Sequence, residues 1–227
     1  MNSKYSNILT ILLVVVIIAI LGIIGFLGYK YYTSEKLKGN AENFVDSFIN
    51  ESDENKKKNE TNSTISGDDL FSDIKPSDNN NTSGGDSTAS SAPKFEGYLT
   101  SGTIEIPATN IKLPILAQSE LSKSALEKSV IEIYGNGLNQ EGNTTIAGHN
   151  YRNGKFFSNN KKLNIGDKIY ITDLTGTRLS YTIYNKYEAE ENESDYMTRD
   201  TQGAKEISLS TCTDDGKNRL IIWAKAD

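Results

Sequence analysis

Asp167-Lys168-Ile169-Tyr170-Ile171-Thr172-Asp173, Leu174-Thr175-Gly176-Thr177 and Arg178-Leu179-Ser180-Tyr181-Thr182-Ile183-Tyr184-Asn185-Lys186-Tyr187 run on from one another and decide the fold class. Apolar residues fall at every second position (Ile169, Ile171, then Leu179, Tyr181, Ile183), the period of a strand with one face inward. The glycine-containing tetrapeptide between the two runs reads as a hairpin turn. The same texture continues outward in both directions. Upstream are Tyr98–Pro107, Ile111–Leu116 (where Pro114 favours an edge or a bulge), Val130–Tyr134 ended by Gly135-Asn136-Gly137, and Thr144–Ala147. Downstream are Ile207–Thr211 and Arg219–Ala224, separated by the turn Asp214-Asp215-Gly216-Lys217-Asn218. Helical spacing of Leu121, Ala125 and Lys128 predicts a short helix over Glu120–Lys128, and Lys155–Leu163, carrying Phe156 and Phe157, reads as another. Eight short strands with turns between them predict a mainly β domain over residues 94–227, a closed or nearly closed eight-stranded barrel with short helices.

The remainder of the 227 residues is of two kinds. Residues 1–30 read as an N-terminal transmembrane anchor: Ile8–Leu27 is 20 residues without a charge, long enough to cross a hydrocarbon core of about 30 Å as a helix. Tyr29, Tyr31 and Tyr32 follow where an interfacial aromatic belt would lie, and no small-residue cleavage site of a signal peptide replaces them. Lys4 lies on one side of the span and Lys30, Lys36 and Lys38 on the other, so charge alone does not place the C-terminal domain outside. Residues 31–93 are rich in Asn, Ser, Gly and Asp and read as a flexible polar stalk. Within them, Ala41–Ile49 has the apolar spacing of a juxtamembrane helix. From Lys94 onward there are 16 Lys and Arg against 18 Asp and Glu, with no basic face, which speaks against a nucleic-acid partner. One cysteine excludes an internal disulfide and a Cys-rich zinc site.

That cysteine ends the run Ile207-Ser208-Leu209-Ser210-Thr211-Cys212, and Arg219 follows seven residues later. The only histidine stands in Thr145-Ile146-Ala147-Gly148-His149-Asn150. A thiolate takes an acyl group from a peptide carbonyl. Such chemistry needs a proton donor for the leaving amine, which His149 can supply, and donors where the oxyanion forms, which the fixed fork of an arginine can supply. Strand, turn and antiparallel strand bring Cys212 and Arg219 to one end of the barrel, and His149 also ends a strand. Taken singly, each has a plainer reading: a small buried hydrophobe, a satisfied histidine, a solvated strand charge. The joint pattern is what distinguishes them.

Thr145–Asn150 and Ser208–Cys212 with Arg219 resemble the motifs of the sortase family. The family's cysteine box reads T-L-x-T-C, and Ser208 departs mildly from its first position. Ile104–Pro107 and Ile111–Ile115 resemble the family's first two strands, so the likeness spans residues 98–225. The resemblance implies a membrane-anchored cysteine transpeptidase with His149 as general acid and base, Cys212 as nucleophile and Arg219 holding substrate or oxyanion. It further implies that Thr211, Ser210 and Ala147 shape the site for a sorting signal. The implied partners are secreted proteins with a C-terminal sorting signal of the LPxTG kind and an amine of a cell-wall precursor. The implied placement is a single-pass membrane protein of a Gram-positive-type surface, N-terminus cytoplasmic and catalytic domain extracellular. With 62 residues between His149 and Cys212 there is little room for the helical insertion of class B enzymes. No Asp-Pro-aromatic lid occurs before the domain, and the sequence reaches Asp227 with no second span, which points to a class A- or D-like member rather than class C.

No cofactor is expected. Glu188, Glu190, Glu191, Glu193 and Asp195 precede the Cys212 strand and form a candidate calcium loop, calcium taking oxygen ligands. A solvated acidic loop is the plainer reading, since no glycine pins a calcium turn there. The alternative function is a catalytically inactive surface barrel that binds wall peptides or acts as an adhesin. A papain-like peptidase fits poorly, because its Cys would precede its His and sit on a helix.

Overall fold

The computed structural model describes residues 3–61 and 92–227, with side chains described from residue 9 to 54 and from 92 onward. Two compact units divide the chain, Met1–Asn40 and Ala41–Asp227. Helix α1, Ser3–Thr61, runs through the boundary. In the first unit its apolar side chains from Leu9 to Leu27 are exposed, and α1 is long and apolar enough to cross a membrane. Such a surface is tolerated in lipid, where a helix satisfies its own backbone bonds.

In the second unit α1 behaves differently. Ala41, Val45 and Phe48 are buried and share one face of the helix. Phe44 meets Phe95 edge-on with ring centroids 5.6 Å apart, and Asp46 pairs with Lys112 at 2.8 Å. Residues 41–54, which composition assigns to a flexible stalk, are therefore helical, with a stripe packed on the barrel. The apolar spacing of Ala41–Ile49 is the local cause, and it outweighs the polar composition around it. The rest of the expected stalk, residues 62–91, lies outside the described residues.

The barrel uses eight strands: β2 (Tyr98–Ile106), β3 (Ile111–Leu116), β4 (Val130–Tyr134), β5 (Gly142–Ala147), β6 (Lys168–Asp173), β7 (Arg178–Glu190), β8 (Lys205–Cys212) and β9 (Asn218–Ala226). A two-residue strand β1 (Lys94–Phe95) precedes them and pairs with β2. The order is β1-β2-β3-β4-β5-β8-β9-β7-β6, and pairing of β2 with β6 closes the barrel. Closure removes free sheet edges. β3–β4 and β5–β8 are parallel and the other pairs antiparallel. Ile104, Ile106, Ile115, Ile146, Ile169, Ile171 and Ile183, each fully buried, are among the residues of the core. Pro114 sits opposite Thr103, and β4 joins β3 only at Ile115 and Leu116, so no ladder bond is asked of its missing N–H.

The helices are shorter than their spacing predicts. Over Glu120–Lys128 there is a 3-10 turn at Gln118–Glu120 and one helical turn α2, Lys123–Leu126, capped by the Ser122 hydroxyl accepting from the Ala125 amide at 3.2 Å. Lys155–Leu163 keeps only a 3-10 turn at Asn160–Lys162. The reason is local: Phe156 adopts φ 48 and bridges to Asn150, and the Phe157 amide donates to the His149 carbonyl at 3.1 Å, so neither can enter a helix. One helical turn, α3 (Asp195–Thr198), lies within the acidic stretch before β8.

Candidate active site

Arg219 stands directly opposite Cys212 in the β8–β9 ladder. Facing residues of an antiparallel pair carry their side chains on one face, and here the Arg219 Nη1 donates to the Cys212 Sγ at 2.6 Å. The turn between them is built by its own residues. The Thr213 amide donates to the Asn218 carbonyl at 3.0 Å, and the Asp215 carboxylate accepts from the Thr213 hydroxyl and the Lys217 amide. Those bonds hold the Asp215 carboxyl below its usual range. Cys212 is half-buried.

His149 reaches the same end by the parallel β5–β8 ladder. Ala147 pairs with Ser210, and continuing that register by two residues sets His149 beside Cys212. The bonds around it do the same. The Gly148 amide donates to the Ser210 carbonyl at 3.1 Å, the Thr211 hydroxyl to the Gly148 carbonyl at 2.7 Å, and the Asn150 side-chain amide to the Cys212 carbonyl at 3.0 Å. Gly148 permits this approach: a Cβ there would lie 2.7 Å from Val130 Cγ1 and 2.8 Å from Phe157 Cδ2. The imidazole packs on Tyr151, ring centroids 4.8 Å apart. Burial is the main influence on it and pushes its pKa below the ordinary 6.5; Lys123 adds to the effect and Glu127 opposes it.

The stretch 191–204 between β7 and β8 forms a lip over the face that carries Cys212 and Arg219. The Asn143 side-chain amide donates to the carbonyls of Tyr196 and Met197, at 3.1 and 2.9 Å. Arg199 pairs with Glu206 at 2.7 Å, donates to the Ser208 hydroxyl at 2.9 Å and stacks on Trp223 at 4.6 Å. Tyr196 and Ser210 share a hydrogen bond of 3.3 Å. Ser210 and Thr211 are thus buried, each with its hydroxyl engaged, while Ala147 is half-buried. Asn143, Tyr196, Arg199 and Glu206 do not stand out in the sequence. Only the alternation of Glu206 with Ser208 and Ser210 along β8 signals a polar seam beneath the lip. Asn150, the residue after His149 in the sequence motif, gains a role only from its bond to the Cys212 carbonyl.

The acidic stretch does not gather. Glu191 reaches Arg219 Nη2 at 3.3 Å, while Glu190, Glu193 and Asp195 are exposed. Glu188 belongs to β7 opposite Leu220, one row away from Arg219. Among the described residues no group of three or more His, Cys, Asp or Glu side chains is arranged to hold a metal ion.

The arrangement is a nucleophile, a proton carrier and a cation at the end of three strands. It suits acyl transfer through sulfur: the thiol attacks a carbonyl, the guanidinium offsets the charge on sulfur or on the oxyanion, and the imidazole carries the proton.

A family model described as a sortase domain matches residues 104–227. Among solved structures, a Clostridium perfringens sortase D5 transpeptidase is 28% identical, with a TM-score of 0.51, the match covering 57% of this chain and 79% of that one. A lid mutant of sortase A from Corynebacterium diphtheriae is 26% identical, with a TM-score of 0.52 and coverage of 57% and 71%. Sortase C1 from Streptococcus suis is 26% identical, with a TM-score of 0.51 and coverage of 56% and 73%. No curated protein matches the chain.

Proposed function

The chain belongs to the sortase family, whose members are cysteine transpeptidases, and from that premise we propose that it cleaves an LPxTG-like sorting signal and joins the freed acyl group to an amine of the cell wall. Cys212 gives its thiol proton to His149 and attacks the Thr–Gly-type carbonyl, and the negative charge passes to the carbonyl oxygen. Arg219 holds that charge or the substrate carbonyl. His149 protonates the departing amine, leaving a thioester on Cys212. The incoming amine then gives its proton to His149 and displaces the sulfur. Every step uses side chains of this chain. The 2.6 Å contact between Arg219 Nη1 and Cys212 Sγ is the observation that carries the reading.

Thr211, Ser210 and Ala147 bound the signal site in this reading, the first two through their fixed backbone rather than free hydroxyls. A class A- or D-like role fits the short segment between His149 and Cys212. The apolar span of α1 would anchor the enzyme, its N-terminus in the cytoplasm and its barrel outside, where exported proteins and wall precursors meet.

The test is a joining assay with the full-length chain in detergent, an LPxTG-containing peptide and glycinamide. Wild type should give the new peptide–glycinamide bond, and Cys212→Ala none. Joined product from Cys212→Ala would end the proposal, and the inert-barrel alternative gains if wild type neither joins nor cleaves.

A further inference from the structure

Cys212, Arg219 and Ala189 form one row across β8, β9 and β7, and their side chains share a face. Glu191 is the residue after the end of β7, two beyond Ala189, where the alternation of a strand returns to that face. The chain turns there. The Glu193 amide donates to the Glu190 carbonyl at 3.1 Å, so Glu191 is the second residue of a four-residue turn at the start of the lip. From this turn the Glu191 Oε1 accepts from Arg219 Nη2 at 3.3 Å, while Arg219 Nη1 donates to the Cys212 Sγ at 2.6 Å. One guanidinium thus has an arm on the nucleophile and an arm on the lip.

Arginine is long and flexible, and its use at a reacting centre depends on the aim of its planar fork. A thiol sulfur is a weak acceptor and holds that fork poorly. A carboxylate makes a charge-assisted bond and holds it better. Among the described residues no other carboxylate pairs with Arg219. We propose that Glu191 is a positioning residue: its carboxylate holds one arm of Arg219 so that the other stays aimed at the Cys212 sulfur and at the oxyanion that forms beside it.

This role rests on the transpeptidase reading and adds to it a residue that touches no reacting atom. It also ties the aim of the cation to the seating of the lip, because Glu191 begins the segment that Asn143 and Arg199 hold further on. The opposite role for the same charge is that of a competitor, drawing Arg219 away from the sulfur and slowing the reaction. The geometry favours positioning: the two bonds use different nitrogens of one fork and are made together, so Glu191 takes nothing from Cys212. The two roles predict rate changes of opposite sign when the carboxylate is neutralised.

The full-length chain in detergent, joining an LPxTG-containing peptide to glycinamide, tests this. Glu191→Gln should lower kcat about three- to fivefold, the size of one ion pair whose side chains are 28% and 62% exposed. The peptide KM should stay within about twofold and the melting temperature within about 2 °C of wild type, and Glu191→Asp should recover part of the loss. The gap between Glu191→Gln and wild type should narrow with added salt. Glu190→Gln removes the same charge one residue away, from a side chain that does not reach Arg219, and should leave kcat close to wild type. An unchanged or raised kcat in Glu191→Gln, a rise in KM alone, or an equal fall in Glu190→Gln overturns the positioning role while leaving the transpeptidase reading standing. A wild-type chain that forms neither thioester nor joined product overturns both.

Discussion

Gly148 and His149 show how one missing side chain serves a reacting one. Phe157 and Val130 fill the space that a Cβ at Gly148 would need, and the same Phe157 bonds the His149 carbonyl. Gly148→Ala should push the histidine loop off β8. We expect joining activity to fall about 100-fold, as for a 1 Å misplacement of a catalytic group; activity within twofold of wild type would contradict the placement. Burial of His149 has its own consequence. Its pKa is lowered from 6.5, so between 6.5 and the lower folded value the unfolded chain binds the extra proton. Stability falls as pH drops through that window and the loss stops below it. The chain has a single histidine, so its ring resonances report this directly. Their midpoint should lie below 6.5, and Tyr151→Ala, which removes the ring stacked on it, should bring it back toward 6.5; a midpoint at or above 6.5 in wild type would refute the burial argument. The Cys212, His149 and Arg219 pattern was legible because each lies at a strand end in a recognisable motif. The Glu191–Arg219 contact was not, because it depends on where a loop of five similar carboxylates turns.

The lip between β7 and β8 is held by a network no local pattern announces. Arg199 and Glu206 have side chains only 12% and 9% exposed, and Tyr184 adds its hydroxyl to Glu206 at 2.5 Å. Removing one partner leaves the other charge buried, which costs about 3–5 kcal/mol. Arg199→Ala should therefore lower the melting temperature by roughly 10 °C for a domain of this size, and raise KM for a sorting peptide more than it lowers kcat. A melting temperature within 2 °C or so of wild type would show that the network carries little. The strands themselves were legible, since period-two alternation is a short-range property. The helices were not: Leu121 and Ala125 have helical spacing, but Ser122 caps the segment and leaves a single turn, and Phe156–Phe157 spends its backbone on the histidine loop. β5 and β8 lie side by side although β6 and β7 intervene in the chain, and only the closed topology reveals that pairing.

The chain as a whole combines an apolar helix, a docked helical stripe and a closed barrel. The apolar span was plain from composition, and so were the barrel's extent and the polar bias of residues 31–93. What composition hid is that three residues, Ala41, Val45 and Phe48, tie part of that polar stretch to the barrel. Spacing outweighs average polarity because burial depends on one face only. Val45 is fully buried, so Val45→Asp should undock the stripe, with a loss of about 1.5–3 kcal/mol from the apolar burial alone. Hydrogen exchange of amides 41–54 should then speed up, and unchanged protection would contradict the docking. The chemistry of the whole chain turns on its one thiol. Incubate the full-length chain with an LPxTG-containing peptide, quench in acid, digest, and locate any added mass by mass spectrometry. A thioester of the cleaved peptide is expected on Cys212, lost on adding hydroxylamine; cleavage of the peptide with no adduct on Cys212, or an adduct on another residue, would rule out Cys212 as the nucleophile.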